Sequence, residues 1–361
     1  MKLHLVTDHH LNSGIGRYSF ELSHALRKSS HEVNLFKPYK SGGEDTHFDH
    51  AFQWIHKIRY KSLKHLHPYL LPYFIGSRML TEKAQVYHGH WFMAGLGLRK
   101  ARKRNMVVTM HDVSLLHEKE MSHAFTTYYR DALDHLNRAG IPIIVVSEQA
   151  KLDAMKFAGF SEAQVHAIPN GINFNQFYPV PRKASDRFRI VYAGGLSPRK
   201  NLELLLDACE ILEKRRVDFQ LDIAGNHPER TPYPRMAKDK GLSKVRFAGF
   251  IPDDQMNAFY NSGDLMVYTS KYEGFGFAPL EAMAAGTPVI STKGGALSEI
   301  AGGGCAQVRY SKYALADTIQ EFIQNPTLCE TFRQKGLEWV KRYTWETCAT
   351  KTMSVYQSVA A

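Results

Sequence analysis

Long apolar runs are missing from this sequence. No stretch of about 18 residues is apolar and free of charge, so no membrane-spanning helix is expected. Cysteine is scarce: Cys209, Cys305, Cys329 and Cys348 are the four in 361 residues, and none forms a Cys-x-x-Cys pair. That argues against a zinc site or a disulfide scaffold and fits reduced thiols in a cytoplasmic protein. Asp-x-Asp occurs nowhere, so the usual carboxylate clamp for a divalent cation is missing and no metal is expected. Histidine almost vanishes after residue 176, where His227 is the one remaining of 18. Acidic residues are absent from 52 to 80.

What is present can build real cores. Hydrophobic residues make up 44% and aromatics 12%, too much for a disordered chain, and the length suits two domains. The opening run breaks at Asp8 and reads as a first buried strand rather than a secretory signal. The net charge of +11 is uneven: residues 1–176 hold 22 Lys+Arg against 15 Asp+Glu, a net +7, and the remainder 24 against 20, a net +4. The first half is expected to face something anionic.

Short apolar runs alternate with amphipathic ones. Strands are expected at 2–7, 32–36, 86–88, 106–110 and 143–146, then at 189–193, 220–224, 245–247, 265–268 and 288–291. Helical patterns lie between, at 18–28, 148–158, 202–215 and 279–285. Continuous apolar strands separated by helices imply parallel sheets covered on both faces, and two such units in tandem make two doubly wound α/β domains. A charged stretch with two prolines, 178–186, fits a linker. Residues 44–50 are polar and read as a loop.

The most informative segment is YEGFGFAPLEAMAAGTPVIS, 272–291. A strand ends just before it, Gly274 and Gly276 let the backbone approach a ligand, and Pro279 suits the first helical position, with Glu281 in the first turn. A helix start behind a glycine loop attracts phosphate, yet Glu273 and Glu281 would repel it unless they face hydroxyls. A nucleotide sugar, with hydroxyl-rich groups on either side of a diphosphate, meets both conditions. Gly194, Gly195, Arg199 and Lys200 follow another strand and supply a phosphate-cradling turn with two cations. Asn201 either caps the following helix or joins the site. Gly225 ends a third strand, where a base or ribose would lie.

In the first half, SGIGRYSF (13–20) places Gly14, Gly16 and Arg17 after a strand. As a dinucleotide fingerprint it is weak, because Ser19 stands at the third glycine, and a plain packing turn fits as well. His111 ends an apolar strand, where open α/β sheets bind ligands. His88 and His90 end another. They fit the lining of an acceptor site better than a metal site, which lacks a third ligand. Glu148 sits at a third strand end, to touch substrate or cap the next helix. The acid-free run 52–80 interleaves Lys57, Arg59, Lys61, Lys64 and Arg78 with Trp54, Tyr60, Tyr69, Tyr73 and Phe74, and RKARKR (99–104) adds five cations. Together they suit an anionic membrane interface, or alternatively a solvated helix with an ordinary core stripe.

The segments YAGGLSPRKN (192–201), IPNGINFNQF (168–177), VRFAGF (245–250) and EGFGFAPLEAMAAGTPVI (273–290) resemble family 4 of the retaining glycosyltransferases along essentially the whole chain. The resemblance implies the GT-B fold: an acceptor-binding domain over 1–177, a donor-binding domain over 187–343, a central cleft, and a helix in 344–361 returning to the first domain. It implies Glu281 on the ribose, Glu273 on the transferred sugar, Arg199 and Lys200 on the diphosphate, and the amides of Gly274, Phe275, Gly276 and Phe277 near phosphates and sugar. Gly14, Gly16 and Arg17 would approach the donor phosphates and His111 the reacting sugar. The expected reaction is metal-independent transfer with retention, from a nucleotide-diphosphate sugar to a glycan or lipid-linked acceptor, without a cofactor, by a cytoplasmic enzyme peripheral on the membrane. Two rivals explain less. A nicotinamide-dinucleotide oxidoreductase with Gly14 and Gly16 under the pyrophosphate leaves Glu273 and Glu281 idle. A nucleic-acid binder would use the basic clusters, but no known nucleic-acid module is present.

Overall fold

The apolar runs form strands, and the central ones, such as Met106–Met110 and Leu265–Tyr268, are buried on both faces, as continuous rather than alternating hydrophobicity requires. A computed structural model describes residues 1–9, 13–37, 47–48, 67–116, 122–181 and 187–360. The chain divides into two units, Met1–Gly171 with Thr344–Ala361, and Ile172–Tyr343.

The first unit is a parallel sheet of β1 (Lys2–Val6), β2 (Glu32–Lys37), β3 (His47–Phe48), β4 (Val86–Gly89), β5 (Met106–Met110), β6 (Ile143–Val145) and β7 (Val165–Ala167), in the order β3-β2-β1-β4-β5-β6-β7. Its helices are α1 (Gly14–Lys28), α2 (His67–Met79), α3 (Phe92–Lys100), α4 (His123–Arg138) and α5 (Glu148–Ala158). Close packing of α3 on the sheet depends on Gly95, where a Cβ would lie 2.6 Å from a Val108 methyl. The C-terminal helix Trp345–Ala360 packs on α1, β4 and β5.

In the second unit the order is β10-β9-β8-β11-β12-β13, with β8 (Arg189–Ala193), β9 (Gln220–Ala224), β10 (Val245–Gly249), β11 (Leu265–Tyr268), β12 (Val289–Ser291) and β13 (Ala306–Gln307), again all parallel. The helices that bear on the site are α6 (Leu202–Lys214), α7 (Tyr233–Asp239), α8 (Met256–Asn261) and α9 (Phe277–Ala284). In each unit the strand order reverses beside the first strand: β1 lies between β2 and β4, and β8 between β9 and β11. Loops leaving the carboxyl ends at such a switch point are where open sheets bind ligands.

Several expectations need correction. Helix α9 starts at Phe277, not Pro279, because Gly276 at φ +97° takes the left-handed capping conformation. Pro279 is then the third helical residue, still within the turn whose N–H groups lack helical acceptors, and Glu281 lies beyond the first turn. Likewise α1 starts at Gly14, with the Ser13 hydroxyl accepting from the Gly16 amide at 3.0 Å, so both glycines belong to the helix's first turn. Asn201 stands before α6 in a left-handed conformation (φ 52°) without a side-chain cap. Residues 178–180 are exposed, as a linker would be, and two of their amides are held: Asn257 accepts from the Tyr178 amide and Asn261 from the Val180 amide. The strands β3, β7 and β13 have two or three residues each and were not anticipated. His47–Phe48 pairs with β2, within the stretch read as a loop, whose other residues lie outside the described set, as do 52–66 and 182–186. Among the described residues no helix is long and apolar enough to cross a membrane.

Candidate active site

In the second unit the chemistry gathers on the loops after β8 and β11. Pro198–Lys200 forms a single tight turn. The Lys271 amide donates to the Arg199 carbonyl at 2.8 Å, and the Thr269 hydroxyl donates to the Lys200 carbonyl at 3.1 Å. These ties fix two cations beside Glu273. The Lys200 ammonium donates to Glu273 Oε1 at 2.6 Å and to the Tyr268 hydroxyl at 2.9 Å. That hydroxyl donates to the same Oε1 at 2.9 Å. Arg199 lies 3.5 Å from Glu273 Oε2 and donates to the Tyr272 carbonyl at 2.5 Å. The Glu273 carbonyl accepts from the Ala296 amide at 2.9 Å, so the carboxylate is held from its backbone outward.

Glu273 is 7% exposed. Burial pushes its pKa up, but the charges of Lys200 and Arg199 outweigh that and hold it below the ordinary carboxylate value. Burial and the Glu273 charge raise Tyr268, which keeps its phenol protonated as a donor. Arg199, Lys200 and Glu273 therefore sum to one positive charge in a mostly buried setting. Glu281, 5% exposed, accepts from the buried Tyr260 hydroxyl at 2.8 Å. Gly194, Gly195 and Gly225 come together on one cavity of about 210 Å³, which Leu196, Phe250, Ile251 and Met256 make largely apolar. Gly225 is required there, because a Cβ would lie 2.8 Å from the Gly194 carbonyl oxygen. Phe275 is 4% exposed and packs on Phe277 and Tyr343, so its side chain braces the glycine loop. Gly274 and Gly276 are buried beside it.

The first unit assembles its histidines at its own switch point. The ring of Tyr18 meets those of His111 and His90 edge-on, at 4.8 and 5.1 Å. His111 has a buried Nε2 without a partner, and burial, with His9 adding to it, lowers its pKa to about 3. It is a neutral imidazole. His90 is fully buried, with Nδ1 2.7 Å from the Ser19 hydroxyl and Nε2 unpartnered. Asp8, also buried, holds His9 Nδ1 at 2.8 Å and leaves Oδ2 unpartnered. Orphaned buried polar atoms are rare, and three of them on adjoining strand ends mark a place where hydroxyl groups would be received.

His88 does not line this site. It is fully buried, its nitrogens 2.6 Å from the Tyr356 hydroxyl and 2.7 Å from the Thr109 hydroxyl, so it ties the C-terminal helix to the sheet. Glu148 is exposed in the first turn of α5, where Ser147 rather than Glu148 supplies the cap, accepting from the Ala150 amide. Gly14 is exposed and Arg17 half-buried in the first turn of α1. Sequence reasoning missed Asp8, His9, Tyr260 and Tyr268. The position of Asp8 and His9 straight after the first strand was an available signal, whereas no local pattern marked the two tyrosines.

Residues 174–339 match the family model described as glycosyl transferases group 1, and residues 12–176 the model described as Glycosyltransferase Family 4. The O-antigen chain mannosyltransferase B of Escherichia coli is 24% identical, over 96% of either chain. A phosphatidyl-myo-inositol mannosyltransferase of Mycobacterium leprae is 31% identical over 60% of this chain and 59% of its own. Among solved structures, the sucrose-phosphate synthase of Thermosynechococcus elongatus superposes with a TM-score of 0.82 at 21% identity, covering 99% of both chains, and shares the fold.

Proposed function

The chain belongs to the glycosyl transferases of group 1, family 4, with the GT-B fold, and on that premise we propose that it moves a hexose-type sugar, with retention and without a divalent metal, to a hydroxyl of a glycan or lipid-linked acceptor. As a group 1 glycosyltransferase it uses a nucleotide sugar. The observation that carries the finer reading is the clamp of Arg199, Lys200 and Tyr268 around Glu273.

In this reading the diphosphate of the donor lies against Arg199 and Lys200, whose surplus positive charge takes the place of a metal. The base enters the apolar cavity at Gly194, Gly195 and Gly225, and Glu281, oriented by Tyr260, accepts from the ribose hydroxyls. Glu273 meets the sugar, and in the first unit the bare Nε2 of the neutral His111 can accept from a hydroxyl. The bond from the anomeric carbon to the phosphate oxygen breaks as the acceptor oxygen bonds to the same face. The acceptor's proton passes to the departing phosphate, so no enzymic nucleophile is needed. The absence of Asp-x-Asp from the sequence supports metal independence. Relatives named for O-antigen chain and phosphatidyl-myo-inositol mannosylation support the acceptor class, and the basic first half supports a site of work at the cytoplasmic membrane surface. Proton NMR of the product of an α-linked donor, formed in excess EDTA, tests this. An α-linked product is expected. A β-linked product, or activity abolished by EDTA and restored by Mg²⁺, rejects it.

A further inference from the structure

A second cavity, of about 530 Å³, opens on the first unit between α2, α3 and α4. Its lining combines Tyr69, Tyr73 and Tyr128 with Arg99, Lys100 and His135 and, among the described residues, includes no carboxylate. Two features set it apart from a solvated basic face. The Nε of Arg99 is buried without a hydrogen-bond partner among the described residues, a donor left open to an added acceptor. The aromatic rings are also exposed to a degree the core would not leave: Tyr73 by 62% and Tyr69 by 36%. The rings are braced rather than loose. Tyr128 donates to the Pro68 carbonyl at 3.1 Å and packs against Tyr69 at 4.6 Å, while the Lys100 ammonium sits 3.7 Å from the centre of the Tyr73 ring.

We propose that this cavity binds a phosphate ester of a polyhydroxylated six-membered ring, a sugar or a cyclitol. The ring's C–H face would lie on Tyr69 and Tyr73, since aromatic side chains offer an apolar face beside a polar rim. Its phosphate would take charge-assisted bonds from Arg99 and Lys100, satisfying the orphaned Nε. His135 stands on the rim as a further partner for hydroxyl groups. Neither half of such a ligand suffices: a bare anion leaves the tyrosines exposed, and a neutral sugar leaves Arg99 unsatisfied. The site stands apart from the donor reading, and its test needs no sugar transfer.

The test is calorimetric titration of the full chain with glucose 1-phosphate, inorganic phosphate and glucose, together with sedimentation on phosphatidylcholine vesicles with and without phosphatidylinositol. The variants are Arg99→Gln, Tyr73→Ala and, as a control in the second unit, Lys200→Gln. Glucose 1-phosphate, or the phosphatidylinositol vesicle, is expected to bind the wild type and Lys200→Gln alike. Binding is expected to be at least about tenfold weaker in Arg99→Gln and in Tyr73→Ala, a loss of about 1.4 kcal/mol. Inorganic phosphate and glucose should each bind at least about tenfold less tightly than the ester. Binding of the soluble ester identifies a free sugar phosphate as ligand, and binding confined to vesicles identifies a lipid headgroup. Tyr73 is exposed, so its variant reports on the cavity even where Arg99→Gln proves unstable. Failure of both probes to bind, wild-type affinity in both cavity variants, inorganic phosphate binding as tightly as the ester, or loss of binding in Lys200→Gln overturns the proposal.

Discussion

Replacing Glu273 by glutamine removes one charge and almost no volume, and it should move three observables in different directions. The carboxylate receives Lys200 at 2.6 Å, with side chains 15% and 9% exposed. A hydrogen bond to a charged group contributes about 1.5–3 kcal/mol, and the amide oxygen retains part of it. The expected loss of stability is about 2 kcal/mol, a fall in melting temperature of roughly 4–8 °C for a unit of this size. The same change raises the summed charge of Arg199, Lys200 and residue 273 from one to two. An added unit charge a few ångströms from a diphosphate is worth about 1 kcal/mol in water and about 4 when partly screened by protein. Nucleoside diphosphate should therefore bind roughly tenfold more tightly, while turnover falls because the sugar loses its carboxylate. The wild-type contribution of Glu273 has a definite sign with pH. Its folded pKa is depressed, so the stabilisation is present above the ordinary carboxylate range and is lost as pH falls through the lowered value. Differential scanning calorimetry, calorimetric titration and steady-state kinetics read the three effects. An unchanged melting temperature together with weaker diphosphate binding would refute the electrostatic account.

Glu281→Ala should weaken nucleoside diphosphate binding by about 1.5–3 kcal/mol, roughly ten- to a hundredfold, with a small effect on turnover at saturation; titration calorimetry checks it, and unaltered affinity removes Glu281 from the ribose. His88 and His111 have folded pKa values lowered to about 3 from 6.5. Below pH 6.5 the unfolded chain takes up protons that the folded chain refuses, so the first unit should lose about 1.4 kcal/mol per pH unit for each histidine down to pH 3. His88→Gln should flatten that slope in thermal melts, and an unchanged slope counts against the burial assigned to His88. Changing Lys57, Arg59, Lys61 and Lys64 to Glu should abolish sedimentation with anionic vesicles at low salt, where the Debye length is about 10 Å at 0.1 M and falls to about 3 Å at 1 M. Equal sedimentation of wild type and variant, or equal binding to neutral vesicles, ends the membrane reading.

The strands were legible because a parallel sheet buries both faces and leaves a continuous apolar run, as at Met106–Met110 and Leu265–Tyr268. The pairing of Lys200 with Glu273 spans 73 residues, and no local pattern announces it; the glycine loops and family resemblance placed these residues in one site. The hydroxyls of Tyr260 and Tyr268 were illegible because both tyrosines read as ordinary apolar fill. His88 was assigned to an acceptor surface because strand ends usually open to solvent. Its burial comes from Tyr356, 268 residues away on the returning C-terminal helix. The start of α9 was misplaced for a local reason: a left-handed glycine at 276 allows the helix to begin two residues before its proline.

The central claim is that the second unit holds a nucleotide-diphosphate sugar between Arg199, Lys200, Glu273 and Glu281. The most direct measurement is a thermal-shift panel of UDP, GDP and ADP and their sugars, run on the wild type and on Lys200→Ala with EDTA present throughout. One base is expected to stabilise the wild type by about 2.7 kcal/mol at a hundred times its Kd, with most of that stabilisation lost in Lys200→Ala. No shift with any nucleotide, or an equal shift in the variant, would contradict the account.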